Sequence, residues 1–158
     1  MTAESTGARS AEARTDRSAD VRRLLALLSF LLVPWTVLGS GDLVFAWGLA
    51  TLDPVHVTTL PDYLFVYTRG LPNRLLAWPI AVALYLLAIA NALLGTAAPR
   101  LEDRRVTGGL LVLAGASDLW FALGLTRPGL VAVPVGSVLL WVAAWWFHWP
   151  DLRHGLWR

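Results

Sequence analysis

Four stretches of this chain, 24–41, 75–95, 106–126 and 129–147, run for 18 to 21 residues each and contain a single charge between them, Asp118. A helix needs about 20 apolar residues to cross the roughly 30 Å hydrocarbon core of a bilayer. In lipid the backbone must satisfy its own hydrogen bonds, so uninterrupted runs of this kind predict helices. Composition points the same way. Charged residues are 15% of the 158 and hydrophobic residues 56%, against roughly 25% charged in an average soluble domain. Too little charge remains to cover a soluble surface.

The expected fold is therefore all-α: an integral membrane four-helix bundle with a partly structured outer segment. Residues 1–22 read as a disordered cytoplasmic tail, because after Met1 the first twenty hold no aliphatic residue larger than alanine. The four-span membrane domain covers 23–149, with helices over 24–42, 75–95, 106–126 and 129–148, and 150–158 is a second cytoplasmic tail. The outer segment 43–74 is too apolar for a plain loop. Pro54, Pro61 and Pro72 prevent it from forming one long helix.

All 13 cations are arginine. Ten fall in the two termini and the loop between the second and third spans, and three (Arg69, Arg74 and Arg127) fall on the opposite side. The positive-inside rule then places the protein in the cell membrane, multi-pass, with both termini cytoplasmic. Trp145, Trp146, Phe147 and Trp149 would mark the inner headgroups, and Phe45, Trp47, Tyr63, Phe65, Tyr67 and Trp78 the outer ones. The arginines form no patch that could track phosphates along a strand, which excludes nucleic acid as a partner. The expected partners are the lipid bilayer itself and, through helix packing, a second copy or the other subunits of a membrane complex.

The strings VPWTVLGSGDLVFAWG (33–48), TTLPDYLFVYTRGLPNRLLAWPI (58–80) and ALYLLAIANALLG (83–95) resemble a family of small multi-pass membrane proteins from halophilic archaea. The resemblance covers roughly residues 30–95. It implies a membrane location and no assigned activity.

Asp118 is the residue with the most chemical potential. A carboxyl inside a span is costly unless it is neutral, paired or facing water. Thr36, Tyr85 and Ser137 fall at the same depth and are its candidate hydrogen-bonding partners. Two readings follow: a hydrogen-bonded clamp between helices, or a proton or cation site. Small residues recur every seven positions, as Ala81, Ala88 and Gly95, then Gly108, Gly115 and Ala122, then Gly129, Gly136 and Ala143. Seven residues are nearly two turns, so each trio makes a stripe along which helices can pack closely. Pro34, Pro79 and Pro134 can each kink a helix; alternatively Pro79 and Pro134 sit in the first turns of the second and fourth helices, where proline is tolerated.

No nucleophile–base set, phosphate-binding loop or dinucleotide fingerprint is present. Asp42, Asp53, His56 and Asp62 follow no metal-ligand spacing; His148, Asp151 and His154 are spaced by three, as one helical face would need, but Pro150 interrupts that face, and the absence of Cys excludes thiolate sites. No cofactor and no metal is expected. The leading function is a non-enzymatic integral membrane protein that acts through helix packing or its outer surface, as a subunit of a membrane complex. The alternative is a small transporter or channel component using Asp118 as a proton or cation site.

Overall fold

The computed structural model describes residues 18–67, 75–98 and 103–156. The chain is mixed α/β, and the all-α four-helix bundle is overturned. Helix α1 (18–29) leads into four strands, β1 (Thr36–Leu38), β2 (Leu43–Val44), β3 (Gly48–Leu52) and β4 (Val55–Thr59). A short helix α2 (Leu60–Asp62) and a π-helical turn (Tyr63–Tyr67) follow. Then come α3 (Ala77–Ala97), α4 (Arg104–Leu125), β5 (Ala132–Val133) and α5 (Val135–Leu156). The five strands form one antiparallel sheet in the order β4-β3-β2-β1-β5.

The largest departure is the first apolar run. Expected as one helix over 24–42, it is a three-turn helix followed by a strand. Ser29 donates its hydroxyl back to the Ala26 carbonyl at 2.7 Å, a bond that competes with the helical ladder. The backbone N–H groups of Phe30, Leu31 and Leu32 then bond three residues back instead of four. This tightening is typical of a helix end. Pro34 has no N–H and disfavours helical geometry at the residue before it.

Carbonyls at this break accept from aromatic donors. The Tyr85 hydroxyl donates to the Leu27 carbonyl. The indole N–H of Trp35 reaches Phe30 O at 3.1 Å, and that of Trp47 reaches Leu31 O at 3.0 Å. A helix can end inside the apolar core only with such partners in place.

Beyond the break, turn chemistry sets the strands. Gly39, Ser40, Gly41 and Asp42 reverse the chain between β1 and β2, with Leu38 N bonded to Asp42 O at 2.9 Å and Ser40 Oγ to the Asp42 carboxylate at 2.7 Å. Asp53 and Pro54 form the turn between Leu52 and Val55, which are paired. The fourth expected helix also starts late. Residues 129–134 make a turn and β5, whose Val133 pairs with Val37, so α5 begins at Val135. It continues to Leu156, through most of the segment 150–158 expected to be a tail. Residues 1–17 and the arginines Arg69, Arg74 and Arg100 lie outside the described residues.

The two middle elements lie within a few residues of their expected bounds. Helices α3 (21 residues) and α4 (22 residues) are long and apolar enough to cross a membrane. In α5 the described apolar part is the shorter Val135–Phe147. Helix α4 is central and packs on both α3 and α5. At one end Asn91 of α3 donates to the Asp103 carbonyl at 2.9 Å and to the Thr107 hydroxyl at 2.8 Å. Asp20 of α1 meets Arg104 of α4 at 3.1 Å at that same end. At the other, Ser117 donates to the Ala77 carbonyl at 2.8 Å, so α3 starts level with Ser117. The last two turns of α4 project roughly 10 Å past that level. The sheet is held at this end: Trp78 of α3 donates to Phe45 O at 3.1 Å, and Gly136 of α5 to Trp35 O at 2.7 Å.

Candidate functional site

Asp118 lies where three distant segments meet, on α4, on β1 and on the first turn of α5. Its side chain is fully buried. Ser137 donates its hydroxyl to Oδ2 at 2.8 Å, and Thr36 donates to Oδ1 at 3.4 Å. The Ser137 main-chain N–H also addresses the carboxyl. Both partners are themselves buried, Thr36 at 0% and Ser137 at 1% exposure.

The arrangement amounts to a helix cap supplied from elsewhere in the chain. Four N–H groups at a helix start have no partner within the helix. Pro134, which precedes α5, carries no side chain able to accept them. Asp118 takes the Ser137 N–H and the Trp35 carbonyl takes the Gly136 N–H. A carboxyl at a helix N-terminus also faces the positive end of the helix dipole. Chemically, every group around Asp118 is a donor suited to an acceptor. No second carboxylate, histidine or cation is among the groups bonded to it.

Of the four residues expected at this depth, Asp118, Thr36 and Ser137 are together and Tyr85 is not. Tyr85 points to the end of α1, where it caps the Leu27 carbonyl and packs edge-on against Trp35, ring centroids 5.1 Å apart. Its displacement follows from the shortened α1, whose buried Leu27 carbonyl accepts the hydroxyl. Trp47 and Trp78, expected as interface markers, and Trp35, to which the sequence assigns no role, have a further part in the structure. Each carries an indole N–H that binds a main-chain carbonyl of the α1 break or of the sheet. The available signal was the general one that a buried Trp N–H finds a partner.

The small residues fill close approaches around the same point. A Cβ added at Gly136 would lie 2.7 Å from Trp35 Cβ and 2.9 Å from its Cα. One added at Gly115 would lie 2.5 Å from Trp141 Nε1 and 3.2 Å from the Ser137 carbonyl. Gly108, Ala122 and Ala143 are buried along the helix contacts. Gly129 is not in a helix. It occupies the turn before β5 with a φ of 88° and nothing within 4 Å of an added Cβ. Pro79 is the third residue of α3 and Pro134 directly precedes α5, so both mark helix starts, while Pro34 lies between α1 and β1.

These features define an α/β chain with two helices able to cross a membrane and a small sheet pinned over one end of the helices. Residues 2–156 match the family described as a domain of unknown function, DUF8050, and the chain belongs to that family. No curated protein and no solved structure matches it.

Proposed function

We propose that the protein is an integral membrane protein without catalytic activity, acting through helix packing or the sheet-bearing outer surface as a subunit of a membrane complex. The observation that carries this reading is the distribution of side chains by size. The centre combines many small residues, Ala81, Ala88, Ala114, Ala122, Ala143 and Ala144 among them, with the polar Thr36, Thr107, Asp118 and Ser137 and a set of large side chains that includes Trp35, Trp78, Tyr85 and Leu140. The outward faces carry the large apolar groups: Leu86 and Leu87 on α3, Leu113, Trp120 and Leu123 on α4, and Val142, Trp145 and Trp146 on α5. Water would penalise that exterior, since soluble monomers rarely expose apolar patches beyond a few hundred Å². Lipid is the solvent that accepts it, and small residues at helix contacts are what helix association in lipid requires. The resemblance to small multi-pass membrane proteins of halophilic archaea supports the same reading.

The buried carboxyl supports a clamp over a transport site. A proton or cation site needs a route to water, whereas Asp118 is sealed and its oxygens are held by neutral donors. The test is extraction. Membranes from cells expressing the full chain, washed in alkaline carbonate and then in urea, should retain it, and only detergent should release it. Release by carbonate alone overturns the proposal.

A further inference from the structure

The end of the molecule opposite the sheet gathers four arginines on two helix starts. Arg22 and Arg23 lie in α1, and Arg104 and Arg105 open α4. Asp20 draws the two helices together: its Oδ1 is 3.1 Å from Arg104 Nη2 and 3.5 Å from Arg23 Nη1. One carboxylate therefore serves two cations. Among the described residues the other carboxylate at this end is Asp103, which is engaged in capping α4, where it accepts the Arg105 N–H at 2.9 Å. Arg22 and Arg105 are exposed, and among the described residues the Arg22 guanidinium bonds the Ser18 carbonyl, at 3.3 Å. Arg23 Nη1 is buried, and no acceptor among the described residues completes a hydrogen bond with it. Among the described residues the local excess is of guanidinium over carboxylate, and Arg23 Nη1 lacks an acceptor oxygen.

Directly beside these cations the surface turns apolar. Leu25 and Leu28 of α1 and Val106 of α4 are exposed within two turns of the arginines. A ligand matching both features carries an anionic phosphate next to hydrocarbon. We propose that this end of α1 and α4 binds the headgroup of an anionic glycerophospholipid, its phosphate on the arginines and an acyl chain along Leu25, Leu28 and Val106. Guanidinium forks suit phosphate oxygens, and basic pockets between helices at the cytoplasmic side of a membrane bind anionic headgroups. The inference rests on the membrane reading above.

The test is native mass spectrometry of the detergent-purified full chain, titrated with equal amounts of phosphatidylglycerol and phosphatidylcholine. Phosphatidylglycerol should be retained preferentially. The double variant Arg22→Gln/Arg105→Gln, which spares the Asp20 pairs, should reduce the preference about fivefold for each arginine, the factor corresponding to about 1 kcal/mol per basic residue near an anionic surface. Arg22→Lys/Arg105→Lys should keep most of it. The wild-type chain gives a reading that needs no variant, because rising salt should erode the preference. Equal retention of the two lipids, a preference indifferent to salt or to the glutamine pair, or displacement of the lipid by millimolar inorganic phosphate would each overturn the proposal. A chain that resists carbonate but shows no lipid preference sinks this inference alone, whereas release by carbonate sinks the membrane reading beneath it.

Discussion

A carboxyl among donors behaves differently from one among cations, and Asp118 illustrates the consequence for substitution. Asp118→Asn keeps the shape and one carbonyl acceptor, and the Ser137 and Thr36 hydroxyls can rotate to accept from the new amide. Its cost in thermal unfolding in detergent should be below about 1 kcal/mol, the scale of one exchanged hydrogen bond. Asp118→Leu removes every acceptor and leaves the Ser137 N–H and two hydroxyls buried and unmet, which should cost about 1–3 kcal/mol. Equal losses for the two variants would remove the clamp reading. Glycine substitutions probe the same junction from the other side. Gly136→Ala drives a Cβ against the backbone of Trp35, which cannot move without disturbing β1, and should cost about 1–3 kcal/mol as overpacking does. Gly115→Ala meets mainly the Trp141 indole, a partly exposed side chain able to swing outward, and should cost less.

At the scale of elements, residues 24–42 show what apolar content hides. Span length and freedom from charge are read easily, and α3 and α4 follow from them. A strand is recognised by alternation of apolar and polar residues, and LVFAWGLATL alternates little because both faces of β2 and β3 are apolar. The readable marks were the turn formers, Pro34, Gly39 through Asp42, and Asp53 with Pro54, each isolated in an otherwise apolar text. Three members of the candidate site were legible from depth alone, since Asp118, Thr36 and Ser137 do converge. Tyr85 was not, because the early end of α1 brings the Leu27 carbonyl within reach of its hydroxyl, and no depth count along α3 reveals that partner. The broken helix makes its own prediction. Tyr85→Phe keeps the packing against Trp35 and removes the donor to the Leu27 carbonyl, which still accepts the Phe30 N–H at 3.1 Å. The loss should be about 1 kcal/mol, read by the same unfolding measurement, with faster hydrogen exchange localised to residues 27–32. A uniform change across the chain would argue against a local cap.

For the whole molecule, the question is which way the ends face. Helices α1 and α4 start at one end, joined through Asp20 and Arg104, and the sheet closes the other. An open sheet edge is not tolerated in hydrocarbon, because its N–H and C=O groups would go unmet. Strand β4 has such an edge, with Val55 83% exposed, so under the membrane reading the sheet belongs in the headgroup region or beyond. Among the described residues, Arg22, Arg23, Arg104 and Arg105 lie at the end away from the sheet and Arg127 lies on the sheet side. Under the same membrane reading, the positive-inside rule would make the arginine end cytoplasmic and the sheet external. The chain has no native cysteine, so single cysteines report cleanly. At Ser40 or His56, both exposed on the sheet side, a cysteine should react with a membrane-impermeant maleimide in intact cells. At Asp103 it should react only after the membrane is opened. The reverse pattern would invert the orientation. Labelling of all three in intact cells would mean that the helices do not separate two compartments, and the apolar exterior would then have to be covered by protein instead of lipid.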